Sequence, residues 1–84
     1  MAKASQLRFA LCIDNSDYAV SLELHKIYRV LPDRDAAEHG DLRIIDESGE
    51  DYLYPARRFL LVDLPKETAR VLHRSFARAG EAAR

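Results

Sequence analysis

The chain's candidates for chemistry are three histidines, one cysteine, an acidic cluster and a set of tyrosines and arginines. His25, His39 and His73 lie far apart and share no spacing that makes a metal pair on one element. Cys12 is the single cysteine, which excludes an intramolecular disulfide and any CxxC knuckle or redox pair. No glycine turn or helix start precedes it to activate a thiolate, so a Cys12 nucleophile working with His25 or His73 is not expected. Asp46, Glu47, Glu50 and Asp51 could offer oxygen ligands to a hard cation, but the twelve-residue calcium-loop arrangement is missing. Gly40, Gly49 and Gly80 are too dispersed to cradle a phosphate. The expectation is no metal, no cofactor and no enzyme activity.

Two surfaces remain as candidates for binding. The first is formed by Tyr28, Tyr52, Tyr54, Arg57 and Arg58. In "DYLYP" Tyr52 and Tyr54 share one strand face and Leu53 takes the other. The tyrosines are then either an exposed stacking platform or core residues whose hydroxyls reach the rim. The second surface is the ladder Lys66, Arg70, Arg74, Arg78, whose spacing of four lines the cations along one helix flank. It reads either as a solvated face or as a basic patch, with Glu67 and Glu81 the nearby acids. Charge is uneven along the chain. Residues 41 to 51 hold five acids against Arg43, whereas residues 57 to 84 hold seven basic groups against three acids.

The elements that must position these groups follow from periodicity. "LRFALCI" at 7 to 13 alternates, with Leu7, Phe9, Leu11 and Ile13 on one face and Arg8, Ala10 and Cys12 on a small-residue outer face. "DNSD" is a turn, after which Tyr18, Val20, Leu22 and Leu24 share one parity and "KIYRVL" resumes as a separate strand. "PDRDAAEHGD" reads as a loop with one short helical turn ending at Gly40. "LRIID" and "EDYLY" form a hairpin whose turn gives Gly49 a positive φ, and Pro55 ends the second strand. From Pro65 the period changes: Ala69, Leu72, Phe76 and Ala79 recur at three and four, predicting a helix capped by Asp63 and stopped by Gly80.

The 84 residues make one domain, with a barrel at 6–64 and a helix at 65–79. With 48% hydrophobic residues the chain is too apolar for disorder, and its 14 acids and 13 bases leave a net charge of -1. That balance disfavours bulk polyanion binding. Arg8 interrupts the short apolar run near the start, so no signal peptide is expected, and no stretch approaches the roughly 20 apolar residues of a membrane span. A cytoplasmic, non-membrane protein is expected.

"KIYRVLPD" followed by "GDLRIIDESGEDYLYPARRF" resembles a family of small, largely uncharacterised bacterial proteins with an SH3-like barrel. The similarity covers roughly residues 22 to 64 and rests mostly on Asp46, Glu47, Ser48, Gly49, Glu50, Asp51, Tyr52, Tyr54, Pro55 and Phe59. The resemblance implies an SH3-like barrel and carries no catalytic or ligand residue; the alternating strands and the period change after Leu64 complete the expectation of a mainly β, five-stranded SH3-like barrel with a C-terminal α-helix across one open end. The expected core is Phe9, Leu11, Val20, Leu22, Val30, Ile44, Leu53, Phe59, Leu61, Leu72 and Phe76. The expected function is a non-enzymatic protein-interaction module that binds another protein or itself. The alternative is nucleic-acid binding, with Arg70, Arg74 and Arg78 on phosphates, Tyr52 or Tyr54 stacking on a base, and Arg57 or Arg58 completing the groove.

Overall fold

The computed structural model describes residues 8–82, with side chains described through residue 78. Leu7, the expected barrel start at residue 6, and the side chains of Ala79 and Glu81 lie outside the described residues. Five strands form in the order β1 (Arg8–Cys12), β2 (Ile27–Leu31), β3 (Asp41–Ile45), β4 (Asp51–Pro55) and β5 (Phe59–Val62). A short helix α1 (Arg34–Glu38) bridges β2 and β3, a 3-10 turn (Ala56–Arg58) joins β4 to β5, and helix α2 (Lys66–Ala82) ends the chain.

All pairings are antiparallel, in the spatial order β4-β3-β2-β1-β5. This corrects the barrel expectation, because β4 and β5 are the two edges of an open sheet and do not pair with each other. Closure requires every strand to carry a matched tilt and stagger around the ring. Here the chain turns a corner at Pro55, which lacks a ladder donor, and the 3-10 turn carries it across to β1.

Register explains which side chains are inside. Cys12 lies opposite Phe59, Ala10 opposite Tyr28, Val30 opposite Ile44, and Leu42 opposite Tyr54. These residues share one face and, with Leu22, make the main core, against which Leu42 and Tyr18 pack. Phe9 points the other way, is also fully buried, and stacks on Phe76 of α2 with ring centroids 6.3 Å apart. Arg29, opposite Phe9 in the ladder, lays its guanidinium over the same Phe76 ring at 5.4 Å. Strand β1 is thus buried on both faces, which corrects the reading of Ala10 and Cys12 as an outer face. They are small because the core sits close against them.

Four further expectations change. Val20 is 94% exposed, because residues 18–21 form turns instead of a strand, with Ser21 N and Leu22 N both donating to the Tyr18 carbonyl. Tyr18 and Leu22 meet the core from one side of that turn, and Val20 points away. Leu53 and Leu61 are also exposed. Both lie on edge strands, where an open sheet leaves no further strand to cover them. Leu11, Leu72 and Phe76 are only half-buried. Helix α2 runs through Gly80 to Ala82 instead of stopping at 79.

The short helical turn before Gly40 and the hairpin turn at Gly49 form as expected, and the structure adds a cap that the sequence reading did not name. Asp33 accepts from Ala36 N at 3.0 Å to cap α1, and Gly40 takes φ +78° after it. At the hairpin Gly49 adopts φ +87°, and Asp46 N donates to the Glu50 carbonyl at 3.1 Å.

Candidate functional site

The hairpin sequence begins Asp46-Glu47-Ser48, and an aspartate two residues before a serine can bind the backbone of its own turn. Ser48 donates to Asp46 Oδ1 twice, from its amide at 2.9 Å and from its hydroxyl at 2.6 Å. The same device occurs at Asp14 and Ser16, at 3.0 and 2.6 Å. What separates the two is burial. Asp14 is exposed, whereas Asp46 is 6% exposed and its Oδ2 accepts a third bond, from the Tyr54 hydroxyl at 2.6 Å.

Its neighbour Glu47 is anchored by a second tyrosine. Glu47 Oε2 accepts from Tyr28 OH and from Lys26 Nζ, the latter at 2.7 Å. Tyr28 OH in turn accepts from the Glu23 amide at 2.7 Å, and Glu47 N donates to the Ser21 carbonyl at 3.0 Å. Two buried phenols from β2 and β4 thereby clamp the acidic turn to the open end of the core.

The electrostatics follow from this geometry. Burial alone would raise the Asp46 carboxyl, but the hydrogen bonds from Ser48 and Tyr54 outweigh it and hold the group below the usual aspartate value. Burial would likewise raise Glu47, and bonds from Lys26 and Tyr28 bring it below the usual glutamate value. On the phenol side, burial followed by the bond to Asp46 pushes Tyr54 up to about 12. Tyr28 is raised for the same two kinds of reason, burial and then its bond to Glu47.

The proposed tyrosine and arginine surface divides on inspection. Tyr28 and Tyr54 are core residues with their hydroxyls at the rim, while Tyr52 is 51% exposed and its hydroxyl lies 3.3 Å from Glu50 Oε1. Arg57 is exposed. Arg58 is largely covered: it reaches Asp14 at 3.1 Å and Asp17 at 3.6 Å, and it lies over the Tyr18 ring at 5.3 Å. Tyr18 was absent from the expected site, yet it meets Tyr54 edge to face at 5.0 Å. Its place in the parity of a supposed strand hid that role.

A pocket of about 360 Å³ opens here, with Tyr18, Ser21, Asp46, Ser48, Tyr52 and Tyr54 in its lining. The basic ladder is elsewhere. Lys66, Arg70, Arg74 and Arg78 are all exposed on α2, with Arg70 held 3.1 Å from Glu67. The helix packs on the Phe9 face, whereas Tyr52, opposite Ile44, belongs to the other face of the sheet. Helix cations and tyrosines therefore do not line one groove.

Other candidates are scattered or closed. His25, His39 and His73 are exposed on separate elements, and among the described residues no group of three potential ligands could hold a metal ion. Burial raises the Cys12 thiol, the direction opposite to an activated thiolate. No helix among the described residues is long and apolar enough to cross a membrane.

Comparison with known proteins finds no matching family model, no similar curated protein and no matching solved structure. The resemblance read in residues 22 to 64 to small bacterial proteins with an SH3-like barrel is corrected accordingly. What stands is a small, mainly β domain with an open five-stranded sheet and a C-terminal helix.

Proposed function

We propose that the protein is a non-enzymatic interaction module whose partner is a second copy of itself, joined antiparallel along β5. The observation that carries this reading is the contrast between the two sheet edges. β4 is guarded by Asp51 at one end and Pro55 at the other, both of which discourage strand addition. β5 is Phe-Leu-Leu-Val with neither device, and Leu60 and Leu61, on opposite faces, are 54% and 53% exposed.

Charge supports a two-fold partner. The segment from 57 to 63 is basic at its start and acidic at its end. With Leu60 opposite Leu60 of a second copy, Asp63 of that copy lies at the end of the pair where the basic turn of Arg57 and Arg58 enters β5, and Arg57 and Asp63 are both exposed. Four-residue strands bury little area, so the association belongs to the weak, reversible class of small interfaces. A cytoplasmic setting, in which the lone thiol of Cys12 stays reduced, fits this reading.

Sedimentation equilibrium across a concentration series tests it. The wild type should show a monomer–dimer equilibrium, and Leu60→Lys, at an exposed position, should remain folded and shift it to monomer. A monomeric wild type, or a Leu60→Lys variant that dimerises equally well, would reject the reading.

A further inference from the structure

The buried carboxylate of Asp46 faces the pocket without a counter-charge. Among the described residues no basic group lies within ion-pair distance of it, and no lysine or arginine is among the pocket's lining residues. Buried charges are ordinarily paired, because three neutral donors satisfy hydrogen bonding but leave the charge uncancelled. Asp46 Oδ1 already accepts two bonds and Oδ2 one, so one acceptor position remains on Oδ2.

The walls around that position are aromatic. Tyr18 and Tyr54 stand at 86° to each other, and the exposed ring of Tyr52 completes a third side. Aromatic faces are negative at their centres and attract cations, most strongly where water is excluded. Tyr18 shows this affinity already, since its ring carries the Arg58 guanidinium at 5.3 Å. Glu50, near the Tyr52 hydroxyl, adds to the negative field at the mouth.

We infer that this pocket receives an organic cation, the arginine or lysine side chain of a partner peptide, caged by Tyr18, Tyr52 and Tyr54 and paired with Asp46. A hard metal ion suits the site less well, because its oxygens are one carboxylate and otherwise neutral hydroxyls, where such an ion takes several charged or carbonyl oxygens. An anion would meet a negative field. The volume of about 360 Å³ accommodates such a side chain, being at the small end of the range for ligand sites. This site is separate from the β5 edge, and its occupancy does not depend on self-association.

Amide chemical shifts of the full chain test the inference, with three blocked tripeptides as probes: Gly-Arg-Gly, Gly-Lys-Gly and Gly-Gln-Gly. The arginine and lysine peptides should give saturable shifts at Ser21, Ser48 and Tyr52, and the glutamine peptide should not. Tyr52→Ala, at a half-exposed position, should weaken the binding about two- to fivefold. Asp46→Asn should remove the preference for charge; if that variant unfolds, the glutamine control and Tyr52→Ala still decide. Equal shifts with all three peptides, no shift at millimolar peptide, or unchanged binding by Tyr52→Ala would overturn the proposal.

Discussion

Tyr54→Phe removes one oxygen atom and isolates the energetic role of the tyrosine–carboxylate clamp. The ring would keep its packing against Tyr18 at 5.0 Å and Phe59 at 6.3 Å, so the loss is that of the 2.6 Å bond to Asp46 Oδ2. A hydrogen bond to a charged group contributes about 1.5–3 kcal/mol, and here the acceptor stays buried after the donor is gone. For a domain of this size total stability is on the order of 4–13 kcal/mol, so the substitution would remove a sizeable share. In urea, with a slope of about 1.5 kcal/mol/M, the midpoint should fall by about 1–2 M. Asp46→Asn combined with Tyr54→Phe should cost less than the sum of the two single changes, since each removes the same bond. A midpoint displaced by less than about 0.3 M, or strict additivity in the double variant, would show that the phenol does not hold the turn.

The remaining expectations concern pH, the helix and the hairpin glycine. Asp46 and Glu47 have depressed folded-state values, so their stabilisation is fully present above their unfolded values of about 3.9 and 4.3 and is lost as pH falls through the folded ones. Acid unfolding should therefore steepen below about pH 4, and Tyr54→Phe should blunt that slope. At the alkaline end Tyr54, raised to about 12, stays protonated while an unfolded tyrosine titrates near pH 10, so this stabilisation is lost between those values; tyrosinate absorbance will follow it. Phe76→Ala exposes the fully buried Phe9, and because Phe76 is itself half-buried the cost should be about half the usual 3–5 kcal/mol, measured by denaturant midpoint. Truncation after Leu64 should destabilise by more. Gly49→Ala meets no atom within 4 Å, so its cost of about 1–2 kcal/mol should come from φ +87° alone.

Local chemistry was legible in the sequence and global closure was not. The Ser-Gly turn, the short helical turn ended by Gly40 and the period change after Leu64 each depend on residues near in sequence, and each appears in the structure where the spacing places it. Leu53 and Leu61 read as core from strand alternation, yet alternation fixes which face a residue takes, not whether that face is covered, and both are exposed on edge strands. The segment from Tyr18 to Leu24 failed differently. Tyr18 and Leu22 are four apart, a spacing that even-numbered strand positions and a single helical turn share, and the positive φ at Asp17 and His25 decides for turns. Asp46 was visible as part of an acidic turn, but its burial depends on Tyr54, eight residues away across the hairpin.

Self-association along β5 is tested most directly by intermolecular contacts in a mixed sample, half isotope-labelled and half unlabelled, read through isotope-filtered nuclear Overhauser effects. An antiparallel β5 pair requires cross-peaks between copies from the methyls of Leu60 and Leu61, and their disappearance in Leu60→Lys. Intermolecular cross-peaks confined to the α2 flank or the β4 edge, or none at concentrations where sedimentation reports a dimer, would contradict it.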